Sequence, residues 1–151
     1  MQFGCKQDKC SNFSELFSKS SQEIKLGLGN IKRACTLLSL REGLAPCILI
    51  AGTNGKGSTA GILWHLFAAS GISSGLFTSP HICNFSERIQ LSHANTDDKY
   101  LYDSWVKIKS KLPRALYEEL SFFELSTLIA LIIFKEKKTA IVLENCQSIQ
   151  I

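Results

Sequence analysis

The fold of this chain is decided by one short stretch of its sequence, Gly52-Thr53-Asn54-Gly55-Lys56-Gly57-Ser58. Before it stands a continuous apolar run, Cys47-Ile48-Leu49-Ile50-Ala51, which is typical of a strand buried on both faces of a parallel sheet. After it, the spacing of one face of an amphipathic helix is matched by Thr59, Ile62, Leu63, Leu66 and Phe67. The pattern therefore predicts a buried strand, a glycine-rich loop and an amphipathic helix, in that order.

A loop of this kind is suited to hold the phosphate groups of a nucleotide. Glycine has no side chain and tolerates a positive φ, so backbone N–H groups can approach phosphate oxygens closely. The helix that follows adds free N–H groups and the positive end of its dipole. We expect Lys56 to reach the β- and γ-phosphates and the Ser58 hydroxyl to face Mg²⁺.

The loop is a variant of the common phosphate-binding pattern G-x-x-x-x-G-K-[ST]. Five positions before Gly55 stands Ile50, and Gly57 separates Lys56 from the hydroxyl of Ser58, so the sequence here is G-x-x-G-K-G-S. The alternative interpretation is a glycine-rich turn that carries an incidental lysine. The predicted strand before the loop and the predicted helix after it favour phosphate binding.

Strands and helices alternate along the rest of the chain. Apolar runs predict a second strand at 74–78 and a third at 139–144, and the alternating residues 87–91 predict a short edge strand. Residues 122–137 are apolar nearly all round, which is typical of a buried helix. We therefore expect an α/β fold with an open, mostly parallel sheet that contains the phosphate loop.

Local signals mark where two of the helices begin and end. Gly71 is placed to end the helix after the loop in the left-handed conformation. Thr96 or Asp97 is placed to cap a further helix, and Pro113 is placed to end it. The apolar stripe of that helix consists of Leu101, Trp105, Ile108 and Leu112.

Composition and charge argue against several classes of function. The chain has 151 residues, 45% of them hydrophobic, which is enough for the core of one domain. Its 17 basic and 13 acidic residues give a net charge of +4 without a basic stripe, so nothing supports binding to nucleic acid or to a membrane surface. The longest apolar run, Leu125 to Phe134, is half as long as the roughly 20 residues of a membrane span. With no predicted signal peptide and no C-x-x-C pair, the six cysteines indicate reduced thiols in a cytoplasmic protein.

Five blocks of the sequence, taken together, resemble a known family. They are residues 51–59, Gly75-Leu76-Phe77-Thr78-Ser79-Pro80-His81, Asn84-Phe85-Ser86-Glu87-Arg88-Ile89, Ser121-Phe122-Phe123-Glu124-Leu125-Ser126-Thr127-Leu128 and Ala140-Ile141-Val142-Leu143-Glu144. In residue types, order and spacing they resemble folylpolyglutamate synthase/dihydrofolate synthase, a family of the Mur ligase superfamily. The resemblance extends from about Ile24 to Glu144 and implies an incomplete Mur-ligase-like ATP-binding domain.

The resemblance implies an ADP-forming amide ligase of folate metabolism. In this family ATP phosphorylates a carboxylate of the pterin substrate, and the amino group of L-glutamate then displaces phosphate from the acyl phosphate. The protein contributes positioning and neutralisation of the phosphate charges. The implied partners are ATP, Mg²⁺, L-glutamate and either dihydropteroate or tetrahydrofolate, with no nucleic acid and no membrane.

The resemblance also assigns site residues at the positions that match the family blocks. For ATP binding these are Gly52, Thr53, Asn54, Gly55, Lys56, Gly57 and Ser58, with Lys56 as the catalytic residue. For the metal they are Ser58, Ser79 and Glu144, which offer the oxygen ligands that Mg²⁺ prefers. For the pterin they are Ser121, Phe122, Phe123 and Glu124, which include two aromatic rings suited to stack on a flat heterocycle.

Taken one at a time, several of these residues have structural alternatives. Ser79-Pro80 is also a turn dipeptide, and Glu144 is also read as a solvated strand end. Phe122 and Phe123 at helical spacing would ordinarily lie in the core, and a lone histidine such as His81 is more often structural than catalytic. The joint pattern of the five blocks favours the functional interpretation.

The sequence is divided into three parts by these patterns. Residues 1–23 are a polar segment with one short predicted helix, marked by Phe13, Leu16 and Phe17. Residues 24–144 are the N-terminal part of the ATP-binding ligase domain. Residues 145–151 are a divergent tail.

The chain departs from the family pattern in three ways. Residues 18–21 lack the histidine that the family commonly has in its early pterin-binding segment. After Glu144 the family continues with a glycine-rich run and an Asp-Ala-Thr-Asn block, whereas here residues 145–151 follow. The family chain is nearly three times as long. We therefore expect a truncation or frameshift at the tail, no C-terminal glutamate ligase domain, and an inactive chain.

Two alternative functions stay open at this stage. One is a ligase of another Mur-like branch, and the other is a non-catalytic remnant that binds nucleotide. For the truncated chain we also expect the strand at 139–143 to be an uncovered, apolar sheet edge that promotes aggregation.

Overall fold

The sheet at the centre of the computed structural model has five strands, in the spatial order β1-β5-β2-β3-β4. The structure describes residues 13–19, 27–91 and 94–144, and for residues 143 and 144 only the backbone. The strands are β1 (Cys47–Ile50), β2 (Ser74–Phe77), β3 (Ile89–Leu91), β4 (Ala94–Asn95) and β5 (Ala140–Glu144).

The three strands β1, β5 and β2 form the parallel part of the sheet. On β5, Val142 lies beside Ile48 of β1 on one side and beside Leu76 of β2 on the other. Strands β3 and β4 extend the sheet beyond β2 in antiparallel pairs. The predicted α/β fold with an open, mostly parallel sheet is therefore confirmed.

Helices cover both faces of this sheet. In the described ranges they are α1 (Ser14–Ser18), α2 (Gly29–Leu37), α3 (Lys56–Ala69), α4 (Asp98–Lys111), α5 (Arg114–Glu119) and α6 (Phe122–Lys137). Helix α3 packs on one face, where Ala60 and Trp64 contact Leu76 and Val142. A larger core fills the opposite face, around α6 and with contributions from the other helices. None of the helices in these ranges is both long and apolar enough to cross a membrane.

Several local predictions are confirmed. Helix α6 has the predicted bounds and is buried from Leu125 to Phe134. Asp97 caps α4, because its side chain accepts a hydrogen bond of 2.9 Å from the backbone N–H of Lys99. Gly71 follows the end of α3 with φ +72°, in the left-handed region. Helix α1 forms where the short N-terminal helix is predicted, whereas residues 1–12, 20–26 and 145–151, including the predicted tail, lie outside the described residues.

The predicted apolar face of α3 is wrong in part. The buried side chains are Ala60 and Trp64, and the Trp64 indole N–H donates to the carbonyl of Ser74 at 3.2 Å. Ile62 and Leu66, predicted to face the core, are 63% and 58% exposed. The helix is apolar on more than one side. The side that packs on the sheet is the one that carries Trp64, whose indole contacts the start of β2.

The predicted burial of β1 on both faces is also wrong, as is the predicted edge position of the third strand. Strand β5 lies inside the sheet with a partner on each side, and its Ile141 and Val142 are buried. The edge strand of the parallel part of the sheet is β1, where Ile48 and Leu49 are 39% and 47% exposed. An apolar run shows that a strand is suited to burial, but its place in the sheet is set by long-range pairing.

Two further differences concern short elements. Residues 85–88 form a 3-10 helix, so the predicted strand at 87–91 is confined to β3. Helix α5 follows directly after Pro113 and is not predicted, because its six residues show too little periodicity.

The closest packing between helix and sheet occurs at Gly75 in the middle of β2. A Cβ atom added there would lie 2.3 Å from the ring of Phe134 on α6, so only glycine fits. We expect Gly75→Ala to destabilise the chain by about 1–3 kcal/mol through overpacking, measured by urea unfolding. Gly61→Ala is the matched control, because nothing lies within 4 Å of a Cβ there. The control should leave stability unchanged or raise it slightly, as expected for alanine in a helix. Equal effects of both changes would contradict this packing.

Candidate nucleotide-binding site

Three neighbouring parallel strands end at one edge of the sheet. At that edge β1 leads into the glycine-rich loop, β5 ends at Glu144, and β2 is followed by Thr78 and Ser79. Ligands of open α/β sheets bind at the carboxyl ends of the strands. The fold therefore brings three predicted features to one place: the ATP loop, Ser79 and Glu144.

The backbone of the loop is shaped by two glycines. Gly52 has φ +155° and Gly55 has φ +75°, both positive, and Gly55 is the residue that precedes α3. A residue with a Cβ would be strained in this conformation. The turn at Gly55 places the start of α3 shortly after the end of β1, at the carboxyl edge of the parallel strands.

The start of α3 is left without a side-chain cap. The other two helices of fourteen or more residues are capped, α4 by Asp97 and α6 by Ser121. No side-chain cap is found at α3 in the described part of the chain, since the residue at that position is Gly55. The first N–H groups of a helix have no partner within the helix. Those of Lys56, Gly57 and Ser58 therefore remain available to an anion.

Side chains around the loop extend this donor set. The Lys56 ammonium donates to the carbonyl of Thr53 at 3.2 Å, which folds it back over the loop. The Thr59 hydroxyl donates to the carbonyl of Gly55 at 2.9 Å, so it is used within the helix. The exposed Ser58 hydroxyl makes no hydrogen bond to another described residue. Of the two hydroxyls, that of Ser58 is therefore the one left for a ligand, and its predicted contact with Mg²⁺ stays a prediction.

The predicted metal ligands lie on adjacent strand ends. Residues 143 and 144 have described backbones only, so the structure places Glu144 at the edge without showing its carboxylate. In the described part, no cluster of three or more His, Cys, Asp or Glu side chains suits a metal. The donor chemistry at this edge is that of hydroxyls and one strand-end carboxylate, which fits Mg²⁺ shared with nucleotide phosphates.

The segment after Ser79 is held by the side chain of Glu87. Its carboxylate accepts hydrogen bonds from the backbone N–H groups of Ile82 at 2.7 Å, Cys83 at 3.1 Å and Asn84 at 2.9 Å. These bonds, that of Ile82 above all, lower the pKa of Glu87 below its ordinary value. The chain bends at Ser79, where a turn is predicted, and the Ser79-Pro80 peptide bond is cis.

His81 is held by the neighbouring arginine. The Nε of Arg88 donates to Nδ1 of His81 at 2.7 Å, so the imidazole accepts this bond in its neutral form. Burial, and next the charge of Arg88, lower the pKa of His81. Burial lowers the pKa of Arg88 as well.

The predicted pterin segment begins α6. Ser121 and Glu124 form a capping box, in which the Ser121 N–H donates to the Glu124 carboxylate at 2.9 Å and the Glu124 N–H donates to Ser121 Oγ at 3.3 Å. Both polar residues therefore have a structural role in starting the helix. Phe122 and Phe123 are half-buried, and Phe123 packs on Phe77 with ring centroids 6.0 Å apart.

Phe122 belongs to an aromatic cluster at the same end of α6. Its ring centroid lies 5.6 Å from that of Phe17 and 5.9 Å from that of Phe85, and His81 lies 6.1 Å from Phe17. The Arg88 guanidinium lies 5.1 Å from the Phe122 ring centroid. The cluster joins the start of α6 to the segment that follows Ser79.

Helix α1, which carries Phe17, is fixed by polar contacts with α4 and α5. Glu15 forms an ion pair with Lys109 at 2.6 Å, and the buried Lys19 donates to the carbonyls of Tyr117 and Glu118 at 3.2 and 3.1 Å. Burial is the main cause that raises the pKa of Tyr117 to about 12. These contacts keep Phe17 in the aromatic cluster.

Sequence reasoning misses two of these contributions. Arg88 and Phe17 meet the other site residues through contacts across the fold, and single-sequence periodicity does not detect such contacts. A local signal for the Glu87 contacts does exist. Asn84-Phe85-Ser86-Glu87 matches the capping-box spacing of a polar residue followed three positions later by glutamate.

Comparisons with known proteins agree on one family, although no protein-family model matches the chain. A dihydrofolate synthase/folylpolyglutamate synthase of Haemophilus influenzae is 33% identical over 120 residues, which are 80% of this chain and 26% of that protein. The crystal structure of a bifunctional folylpolyglutamate synthase/dihydrofolate synthase from Yersinia pestis, complexed with AMPPNP and Mn, has a TM-score of 0.81 at 28% identity. The match covers 95% of this chain and 35% of that one.

A further crystal structure of the bifunctional enzyme has Mn, AMPPNP and L-glutamate bound. It has a TM-score of 0.77 at 29% identity, and the match covers 88% of this chain and 32% of that one. The chain thus spans about a quarter to a third of the length of the relatives that it matches.

The hydrogen bonds of Glu87 predict a pH-dependent contribution to stability. Because its pKa is lowered in the folded chain, the contribution is fully present above the pKa of the unfolded chain and is lost as the pH falls through the folded pKa. We expect wild type to be more stable than Glu87→Gln above about pH 5 and the difference to shrink below about pH 4. Urea unfolding from pH 7 to 2.5 measures it, with the exposed Glu119→Gln as a charge-matched control. A difference that does not depend on pH would contradict the assignment.

Proposed function

This chain belongs to the folylpolyglutamate synthase/dihydrofolate synthase family, and from this we propose that it holds Mg²⁺·ATP for an ADP-forming amide ligation. The observation that carries the proposal is the uncapped start of α3, where Gly55, Lys56 and Ser58 present N–H groups, an ammonium and a hydroxyl. An anion at this point gains the helix dipole and the unpaired N–H groups together.

The proposed reaction joins L-glutamate to a carboxylate of a pteroate or folate. The carboxylate attacks the γ-phosphorus of ATP and ADP leaves, which converts a poor electrophile into an acyl phosphate. The amino group of glutamate then forms the amide bond and phosphate leaves. Related crystal structures have AMPPNP, Mn and L-glutamate bound, which supports ATP, a divalent metal and glutamate as the ligands here.

Each site residue has a proposed task in this reaction. The loop from Gly52 to Ser58 wraps the phosphates through its backbone, and Lys56 neutralises charge on the transferred phosphoryl group. Ser58, Ser79 and Glu144 supply oxygen ligands to Mg²⁺, which neutralises phosphate charge when it is bound. ATP and L-glutamate are cytoplasmic metabolites, so we place the reaction in the cytoplasm.

The segment Ser121 to Glu124 is the proposed pterin contact. Its two polar residues already form the capping box of α6, so Phe122 and Phe123 are the side chains available for stacking. Both are half-buried at the end of α6 that faces the nucleotide edge of the sheet. We propose ring stacking, without a polar contact from Ser121 or Glu124, as their contribution.

The second candidate function is that of a non-catalytic remnant, which binds nucleotide without ligation. The chain spans 26% of the Haemophilus influenzae relative, so the ligase activity of that whole protein is a proposal for this chain and not a finding.

We expect Lys56→Ala to weaken the binding of Mg²⁺·ATP to the 151-residue chain at least tenfold, because the charge nearest the phosphates is lost. Isothermal titration calorimetry with ATP and MgCl₂ measures it. Lys99→Ala is the matched control, since it removes an exposed lysine on α4 and should leave affinity unchanged. Equal affinities of wild type and Lys56→Ala would reject the loop as the ATP site.

Turnover is tested separately from binding. The chain is incubated with ATP, Mg²⁺, L-glutamate and either dihydropteroate, tetrahydrofolate or a muramyl nucleotide, and the release of ADP and phosphate is measured. If the chain binds ATP but releases no ADP or phosphate in any of these mixtures, it is a non-catalytic nucleotide-binding remnant. Release only with the muramyl nucleotide would overturn the assignment to the folate branch.

A further inference from the structure

The side chain of Arg88 is a cation at a buried position. It is 7% exposed, and no ion pair to it is found among the residues that the structure describes. Its contacts are the neutral imidazole of His81 at 2.7 Å and the ring of Phe122 at 5.1 Å. Burial of a charge without a counter-ion costs free energy, so stability alone does not account for an arginine at this position.

The guanidinium links two parts of the proposed site. On one side it lies over Phe122, at the start of α6, in a cation–π contact. On the other side it fixes the ring of His81, which stands two residues after Ser79. A planar guanidinium is suited to this double task because it stacks with its face and donates with its edge.

The Ser79 loop, defined here as residues 78–84, is tied to the 3-10 helix by backbone contacts as well. At its start the Thr78 N–H donates to the carbonyl of Arg88 at 2.9 Å. At its end the carboxylate of Glu87 holds the N–H groups of residues 82–84. Between these two ties, the side chain of Arg88 holds His81, which lies two residues after Ser79.

We propose that Arg88 and His81 are positioning residues, which hold the Ser79 loop against Phe122 and so keep Ser79 in place for the metal bound with ATP. The proposal rests on the proposed function, because it takes Ser79 as a metal ligand. Arg88 acts through His81, and neither residue is required to touch nucleotide. The loss of either contact leaves the N–H groups of α3 intact and loosens only the metal side of the site.

The experiment separates nucleotide binding from its dependence on the metal. The affinity of the full 151-residue chain for AMPPNP is measured by calorimetry in MgCl₂ and in EDTA. The quantity of interest is the ratio of the Kd in EDTA to the Kd in MgCl₂. The variants are His81→Ala, His81→Gln and Arg88→Met. Arg114→Met is the control, which makes the same chemical change at an exposed position on α5.

For wild type and Arg114→Met we expect a ratio well above one. His81→Ala and Arg88→Met should lower this ratio at least fivefold, while their Kd in EDTA stays within twofold of wild type. His81→Gln should keep the wild-type ratio within twofold, because its side-chain oxygen can accept the bond from Arg88. Thermal unfolding should show Arg88→Met to be no less stable than wild type, as expected when a buried charge is replaced by an apolar side chain of similar size.

A structural role without positioning would give a different pattern. If the ratio in His81→Ala equals that of wild type, or if both Kd values shift by the same factor, the proposal is overturned. Because His81 is only half-buried, its two variants decide the question even where Arg88→Met does not fold.

Two wild-type outcomes separate this proposal from the proposed function. If wild type binds AMPPNP equally well with and without Mg²⁺, the nucleotide site stands and the positioning role is overturned. If wild type does not bind AMPPNP in either condition, the proposed function itself has failed and the positioning role fails with it.

Discussion

The site depends on a set of backbone N–H groups at the start of α3 that the chain does not satisfy itself. In place of the glycine, a capping side chain would stabilise the helix by about a few tenths of a kcal/mol, and α4 and α6 both have one. At α3 the position is occupied by Gly55 in the left-handed region, which offers no acceptor. The chain forgoes this stabilisation at a long helix that follows β1 directly at the carboxyl edge of the parallel strands, where a phosphate can supply the missing acceptor.

The position of that helix end is set by the middle of the sheet. Strand β5 lies between β1 and β2, so three strand ends are held side by side by two parallel ladders. The buried helix α6 packs on these strands, and the contact at Gly75 admits no side chain between Phe134 and β2. The glycine-rich loop, Glu144 and Ser79 therefore lie at one edge of the sheet. The strand pairing that brings them there joins residues up to nearly a hundred positions apart in the sequence.

This long-range pairing also marks the limit of what the sequence could predict. Elements with strong local signals could be predicted, as the bounds of α6, the Asp97 cap and the Gly71 turn show. Features that depend on distant partners could not. The exposure of β1 follows from its place at the edge of the sheet. Its apolar run does not distinguish an edge strand from an interior strand. At the candidate site, the spacing of the glycines, Lys56 and Ser58 predicts the loop. The contact of Arg88 with the ring of Phe122 is a product of the fold, and no local sequence pattern predicts it.

The Ser79 loop and the glycine-rich loop differ in how their backbone N–H groups are satisfied. In the Ser79 loop the groups of residues 82–84 are filled by the carboxylate of Glu87, so that segment carries its own anion and is fixed in the absence of any ligand. In the glycine-rich loop, no side chain caps the start of α3 in the described part of the chain, so the first N–H groups of this helix are left for an external anion. The Ser79 loop is thus preorganised, whereas the glycine-rich loop requires a ligand to supply its hydrogen-bond acceptors. Such an arrangement favours a ligand that brings negative charge to α3 and meets an already ordered Ser79 beside it.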